Sequence, residues 1–218
     1  MQKKMRFFLC KVIAITVLTV PYAVWGQAAP TTAEGFSNRG VEYLNKGDFD
    51  RAIADLTQAL RLDPNFPAAY YARGNAYADK KDFDRAIADF TEVIRLVPNI
   101  AGAYYSRGRA YADKKDLDRA IADFTEALRL DPNNARTYYA RGNAYADKED
   151  LDRAIADFTQ VIRLDPNSDR AYGERGFAYA MKGDLDRAIA DWEAVLRIDP
   201  NDAYIKDFLE KARQERGR

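Results

Sequence analysis

Apolar positions return along this chain at helical spacing, and short polar breaks gather them into pairs of stripes. In residues 67–100, Tyr70, Gly74 and Tyr77 fall at i, i+4 and i+7 and line one face of a helix. After the polar break Lys80-Lys81-Asp82, a second stripe runs through Ala86, Phe90 and Val93, with Ile87 and Ile94 beside it. Asp82 suits the N-cap of the second helix, because its carboxylate accepts from the free N–H groups of the first turn. Asp84 then places negative charge where the helix dipole favours it. Pro98 ends the second helix, since it lacks an N–H and disfavours helical geometry at the residue before it. The unit is a helical hairpin.

The hairpin repeats at a fixed step of 34 residues, with prolines at 64, 98, 132, 166 and 200, glycines at 40, 74, 108, 142 and 176, and alanines at 52, 86, 120, 154 and 188. A period of this length marks a solenoid, in which no unit buries its apolar face alone. In an antiparallel hairpin Gly74 is expected level with Ala86, and Tyr70 level with Phe90, so that small residues let the axes approach while aromatics fill the flanking levels.

The residues Tyr70-x-x-Arg73-Gly74-x-x-Tyr77, then Ala86-x-x-x-Phe90, then Pro98 resemble the tetratricopeptide repeat, whose pattern has the same period. The match recurs from Phe36/Gly40/Tyr43/Ala52/Leu56/Pro64 to Tyr172/Gly176/Tyr179/Ala188/Trp192/Pro200. The resemblance implies an all-α, right-handed α-solenoid of helix-turn-helix repeats, with the first helix of each lining a concave groove that commonly binds peptide segments. Five repeats are expected over 33–202 (33–66, 67–100, 101–134, 135–168 and 169–202), followed by a C-terminal capping helix over 203–218. In that last segment Ile205, Phe208, Leu209 and Ala212 make one apolar stripe, and Lys206, Lys211, Arg213 and Arg216 face water.

Residues 1–26 do not follow the repeat, and 27–32 read as a linker. Lys3, Lys4 and Arg6 precede an apolar run from Phe7 to Val24, interrupted by Lys11, and small residues follow near Val24-Trp25-Gly26. This is the plan of a secretory signal peptide cleaved near Gly26, with an uncleaved inner-membrane anchor as the alternative. Export to a bacterial periplasm is the localisation expected. Cys10, at the start of the apolar run, makes a poor lipidation site.

Charge and chemistry narrow the function further. Taking Lys3, Lys4, Arg6 and Lys11 from the 34 basic residues leaves 30 against 34 acidic ones, a net charge near −4. That gives no reason to expect nucleic acid, which needs clustered basic surface. Membrane contact is expected only if the N-terminal segment stays attached. The chain has no histidine, which removes Ser–His and Cys–His machinery, the usual zinc sites and the commonest general base. Paired carboxylates such as Asp116 with Asp118 recur in register in every repeat, which points to capping rather than catalysis. No enzyme, cofactor or metal site is expected.

Two departures from the family pattern occur together in all five repeats. Arginine (Arg39, Arg73, Arg107, Arg141, Arg175) stands where the family has Leu, and aspartate (Asp55, Asp89, Asp123, Asp157, Asp191) precedes the second-helix aromatic or Leu. An ion pair across each hairpin is expected, against the rival of a surface pair such as Asp89 with Arg85.

The functional candidate is the stripe a further 100° around the first helices: Tyr71, Asn75 and Asp79, then Tyr105, Arg109 and Asp113, then Tyr139, Asn143 and Asp147. Tyrosine offers flat apolar area with a hydroxyl, and asparagine bonds both N–H and C=O of an extended backbone. The competing reading is packing between neighbouring repeats. The stripe breaks at Ser37 and Val41 at one end and at Gly173 and Phe177 at the other. The expected role is a non-catalytic scaffold of the cell envelope that holds a protein or peptide segment. Alternatives are an anchored accessory subunit of a secretion, pilus or polysaccharide assembly, and a regulatory subunit of a separate enzyme chain.

Overall fold

The structure is a computed structural model and describes residues 30–217. Within them lie eleven helices and no strand. Five pairs follow one another: α1 (Ala33–Asn45) with α2 (Phe49–Leu62), α3 (Pro67–Asp79) with α4 (Phe83–Leu96), α5 (Ala101–Asp113) with α6 (Leu117–Leu130), α7 (Ala135–Asp147) with α8 (Leu151–Leu164), and α9 (Asp169–Met181) with α10 (Leu185–Ile198). The single helix α11 (Ala203–Arg216) follows. Each helix packs on its chain neighbours, and the first helices of successive repeats also touch, as the α-solenoid requires. The expected leader over residues 1–26 lies outside the described residues. So does half of the linker, residues 27–29, whereas Thr32 at its end caps α1 by accepting from the Gly35 N–H at 3.0 Å.

Local signals act as the sequence suggests. Asp48, Asp82, Asp116, Asp150 and Asp184 each cap a second helix by accepting from the backbone N–H three residues on. Each also pairs with the arginine at that position, Arg51, Arg85, Arg119, Arg153 or Arg187. The second acid of each pair links repeats: Asp50, Asp84, Asp118 and Asp152 take Lys80, Lys114, Lys148 and Lys182 of the next hairpin. All the recurring carboxylate pairs are thus spent on caps and inter-repeat bridges.

The cross-hairpin ion pair is present in every repeat. Arg73 donates from Nε and Nη2 to the two Asp89 oxygens, both at 2.8 Å, and its Nη1 reaches Thr57 of the preceding repeat at 3.1 Å. The same fork joins Arg39 to Asp55, Arg107 to Asp123, Arg141 to Asp157 and Arg175 to Asp191. The rival surface pair is absent because Arg85 turns to Asp82 instead.

The hairpin closes at the glycine–alanine level, where the second-helix ring joins them. A Cβ built on Gly74 would lie 2.8 Å from the Phe90 ring, and one on Gly108 would lie 2.9 Å from the Phe124 ring and 3.2 Å from the Ala120 carbonyl oxygen, so the glycine faces the second-helix ring as well as the alanine. Helical side chains lean toward the N-terminus of their own helix. In an antiparallel pair that lean carries the Phe90 ring from the level of Tyr70 to the level of Gly74. Tyr70 packs on the cluster that Leu56, Ala59 and Leu60 form with Ala69, Ala72 and Ala76 of α3. Phe90, Phe124, Phe158 and Trp192 are among the largest fully buried side chains. The last helix covers the fifth repeat as a cap, with Ile205, Leu209 and Ala212 buried against Ala188, Ile189 and Val195. Arg213 and Arg216 reach Glu193 at 2.7 Å and Asp186 at 3.1 Å.

Candidate functional site

The groove wall is built from α3, α5 and α7, whose small inner residues let the hairpins close and turn the remaining face outward. The structure places the nine candidate residues along this wall in two groups. Tyr71, Tyr105 and Tyr139 are half-buried and lie against the second-helix phenylalanines, with ring centroids 5.7, 5.9 and 5.8 Å from Phe90, Phe124 and Phe158. Each also contacts the next repeat. The Tyr71 hydroxyl is 3.1 Å from Ser106 Oγ, Arg136 lies 5.0 Å over the Tyr105 ring, and the Tyr139 hydroxyl donates to Glu174 at 3.4 Å. Packing between repeats is therefore a role these tyrosines hold whatever else they contact.

The polar members form the open part of the site. Asn75 and Asp79 on α3 and Ser106, Arg109 and Asp113 on α5 line one cavity of about 390 Å³. Arg109, Asp79 and Asp113 are exposed, and neither aspartate has an ion-pair partner among the described residues. Asp147, in the same register one repeat on, takes Lys115 at 3.0 Å. Asn143 is half-buried beside Tyr139. Asp79, Asp113 and Asp147 are the last residues of their helices, where the negative end of the dipole disfavours a carboxylate. The cavity offers an amide, a hydroxyl and a guanidinium to a peptide backbone or side chain, with carboxylates at its edge.

Sequence reasoning missed Ser106 and Glu174. They occupy one register position, where Ala72 and Ala140 stand in the neighbouring repeats, and this change from a small apolar residue was the available signal. Burial pushes the Glu174 carboxyl above its ordinary value, the Tyr139 hydrogen bond opposes this, and the Asp147 charge adds to it. Burial and the Glu174 charge push the Tyr139 phenol up as well.

The tetratricopeptide repeat model matches residues 38–99, 73–135 and 139–203, and the chain belongs to this family. None of the curated proteins matches it. Among solved structures, MamA is 30% identical with a TM-score of 0.72, covering 76% of this chain and 96% of its own. MamA from Desulfovibrio magneticus RS-1 is 27% identical with a TM-score of 0.75, covering 81% of this chain and 99% of its own. YrrB, described as a TPR protein with an unusual peptide-binding site, is 24% identical with a TM-score of 0.73 over 82% of this chain and 92% of its own. At that identity YrrB shows the shared fold alone.

Proposed function

We propose that this protein is a non-catalytic interaction scaffold of the cell envelope, which holds an extended peptide segment in the groove lined by α3, α5 and α7. The observation that carries the reading is the cavity where Asn75 and Asp79 of one repeat meet Ser106, Arg109 and Asp113 of the next. Polar groups from separate repeats converge there, whereas the paired aspartates that open each second helix are occupied in caps and bridges. The peptide-binding site described for YrrB is in keeping with this use of the fold. The lack of histidine removes the commonest general base, which suits a binding role. The envelope part of the reading rests on the basic start and apolar run of residues 1–26.

Affinity capture with the immobilised full chain tests the groove. The double change Asn75→Ala with Arg109→Glu should lower partner recovery at least tenfold while the melting temperature stays within a few degrees, because both side chains face the cavity. Recovery that survives the double change would move the site elsewhere. Mass spectrometry of the protein from its native host tests export: a mature N-terminus near Gly26 is expected, and an intact Met1 in the cytosolic fraction would overturn it.

A further inference from the structure

The groove changes character toward its C-terminal end. Phe177 takes the register position of Asn75, Arg109 and Asn143, and its ring lies 5.3 Å from Trp192, 5.0 Å edge-on from Phe208 and 6.1 Å from Tyr204. Tyr204 and Phe208 are 4.7 Å apart. Trp192 is buried beneath, but Tyr204 and Met181 are each 64% exposed, so this aromatic shelf opens to solvent. Glu174 stands one turn before Phe177 on the same face of α9. It is half-buried, has no cationic partner among the described residues, and is held only by the Tyr139 hydroxyl. Asp147 adds like charge from α7. An apolar shelf and an unneutralised carboxylate therefore lie side by side.

We propose that this end of the groove takes an extended protein segment carrying a lysine or arginine two residues from a large apolar side chain, the cation against Glu174 and the apolar group on the shelf of Phe177, Tyr204 and Phe208. This deepens the groove reading above and rests on it. The spacing fits. Side chains at i and i+3 of a helix have Cβ atoms about 5–6 Å apart. Side chains at i and i+2 of an extended chain share a face and stand about 6.6 Å apart. Toward α5, neighbouring first helices are roughly 10 Å apart, about three residues of extended chain. A further cation toward α5 meets Asp113, whereas Asp147 is already paired with Lys115. Burial of an acid without a counter-charge stabilises nothing in the free protein, so the complementary charge comes from the ligand.

Fluorescence anisotropy with the full chain and labelled Gly/Ser dodecapeptides tests this, the three probes carrying Lys-Ser-Phe, Glu-Ser-Phe or Lys-Ser-Ser at their centre. The Lys-Ser-Phe probe should bind about tenfold or more tighter than the other two, and salt should weaken it. Glu174→Gln and Tyr204→Ser should each erase that advantage with unchanged melting, and Glu174→Lys should turn the preference toward Glu-Ser-Phe. Equal binding of the three probes, still lost on Asn75→Ala with Arg109→Glu, overturns the charge assignment and leaves the groove reading standing. Binding that no groove variant affects, or no binding by any probe, overturns both. Self-association in sedimentation that Tyr204→Ser abolishes gives the shelf to a second copy and overturns the segment proposed here.

Discussion

Arg107 on α5 grips Asp123 on α6 through two parallel hydrogen bonds of 2.8 Å, and its third nitrogen reaches Thr91 of the preceding repeat at 3.1 Å. One guanidinium thus closes its own hairpin and fastens it to the one before. Both side chains are largely buried, at 17% and 8% exposure. Bidentate pairs of this kind fix geometry as well as adding energy.

Removing one partner should hurt more than removing both. Asp123→Leu strands the Arg107 guanidinium and is expected to lower stability by about 2–4 kcal/mol. Adding Arg107→Leu, which restores the residue the family carries there, should recover at least half of that loss. Urea unfolding of the two single variants and the double variant measures the difference. A double variant no more stable than Asp123→Leu alone would mean that the pair, not the burial of an orphan charge, sets the stability.

Two glycines on first helices should respond oppositely to alanine. At Gly142 the new Cβ would sit 2.8 Å from the Phe158 ring, which is fully buried and has nowhere to move. Overpacking of about 1–3 kcal/mol then outweighs the roughly 1 kcal/mol of helix propensity gained. At Gly173 a Cβ meets nothing within 4 Å, so only the propensity gain remains and Gly173→Ala should raise the melting temperature. Thermal melts of the two variants decide it.

The repeats, the caps, the stop signals and the cross-hairpin pairs were legible because each rests on residues recurring in register. What escaped was geometry that side-chain direction controls. Counting levels from Cα positions set Tyr70 opposite Phe90, whereas the lean of the Phe90 ring brings it over Gly74 and against Tyr71. The turn between paired helices was read only as polar. Its middle residue is left-handed at Lys81, Lys115 and Glu149, with φ near 60°, and the glycines at 47 and 183 in the same register were the clue. Ser106 and Glu174 escaped because they break the repeat, while periodicity reveals only what is repeated.

Acid should unfold the protein through its caps. The arginine beside each of Asp48, Asp82, Asp116, Asp150 and Asp184 holds that carboxyl below the usual range. A depressed value means stabilisation that is present above the unfolded carboxylate value of about 3.9 and lost as the pH falls through the folded value. Burial pushes Glu174 the other way, so protonating it relieves a cost as the pH falls toward that point. The melting temperature should therefore hold or rise slightly from pH 7 to about 5 and drop below about 4. Asn still caps but does not titrate, so Asp116→Asn with Asp150→Asn should flatten the acid limb. An unchanged acid limb would place the titration elsewhere.

The tyrosines of the groove wall carry the sharpest test of how packing and binding are divided. Tyr71, Tyr105 and Tyr139 each pack a tilted ring on a buried phenylalanine and contact the next repeat, Tyr71 and Tyr139 through the hydroxyl and Tyr105 through its ring beneath Arg136. Changing all three to alanine removes inter-repeat packing at three successive junctions, and the melting temperature should fall by well over 5 °C. Partner capture lost in that variant therefore says nothing about contact. Changing all three to phenylalanine keeps the rings and removes only the hydroxyls, one 3.1 Å from Ser106 and one 3.4 Å from Glu174. Each such bond is worth about 1 kcal/mol at most, so the melt should move little. If the hydroxyls also serve a bound segment, capture falls with the fold intact. If capture is unchanged in the phenylalanine variant and lost with Asn75→Ala and Arg109→Glu, the tyrosines are the frame of the groove and the polar residues between them are its contacts.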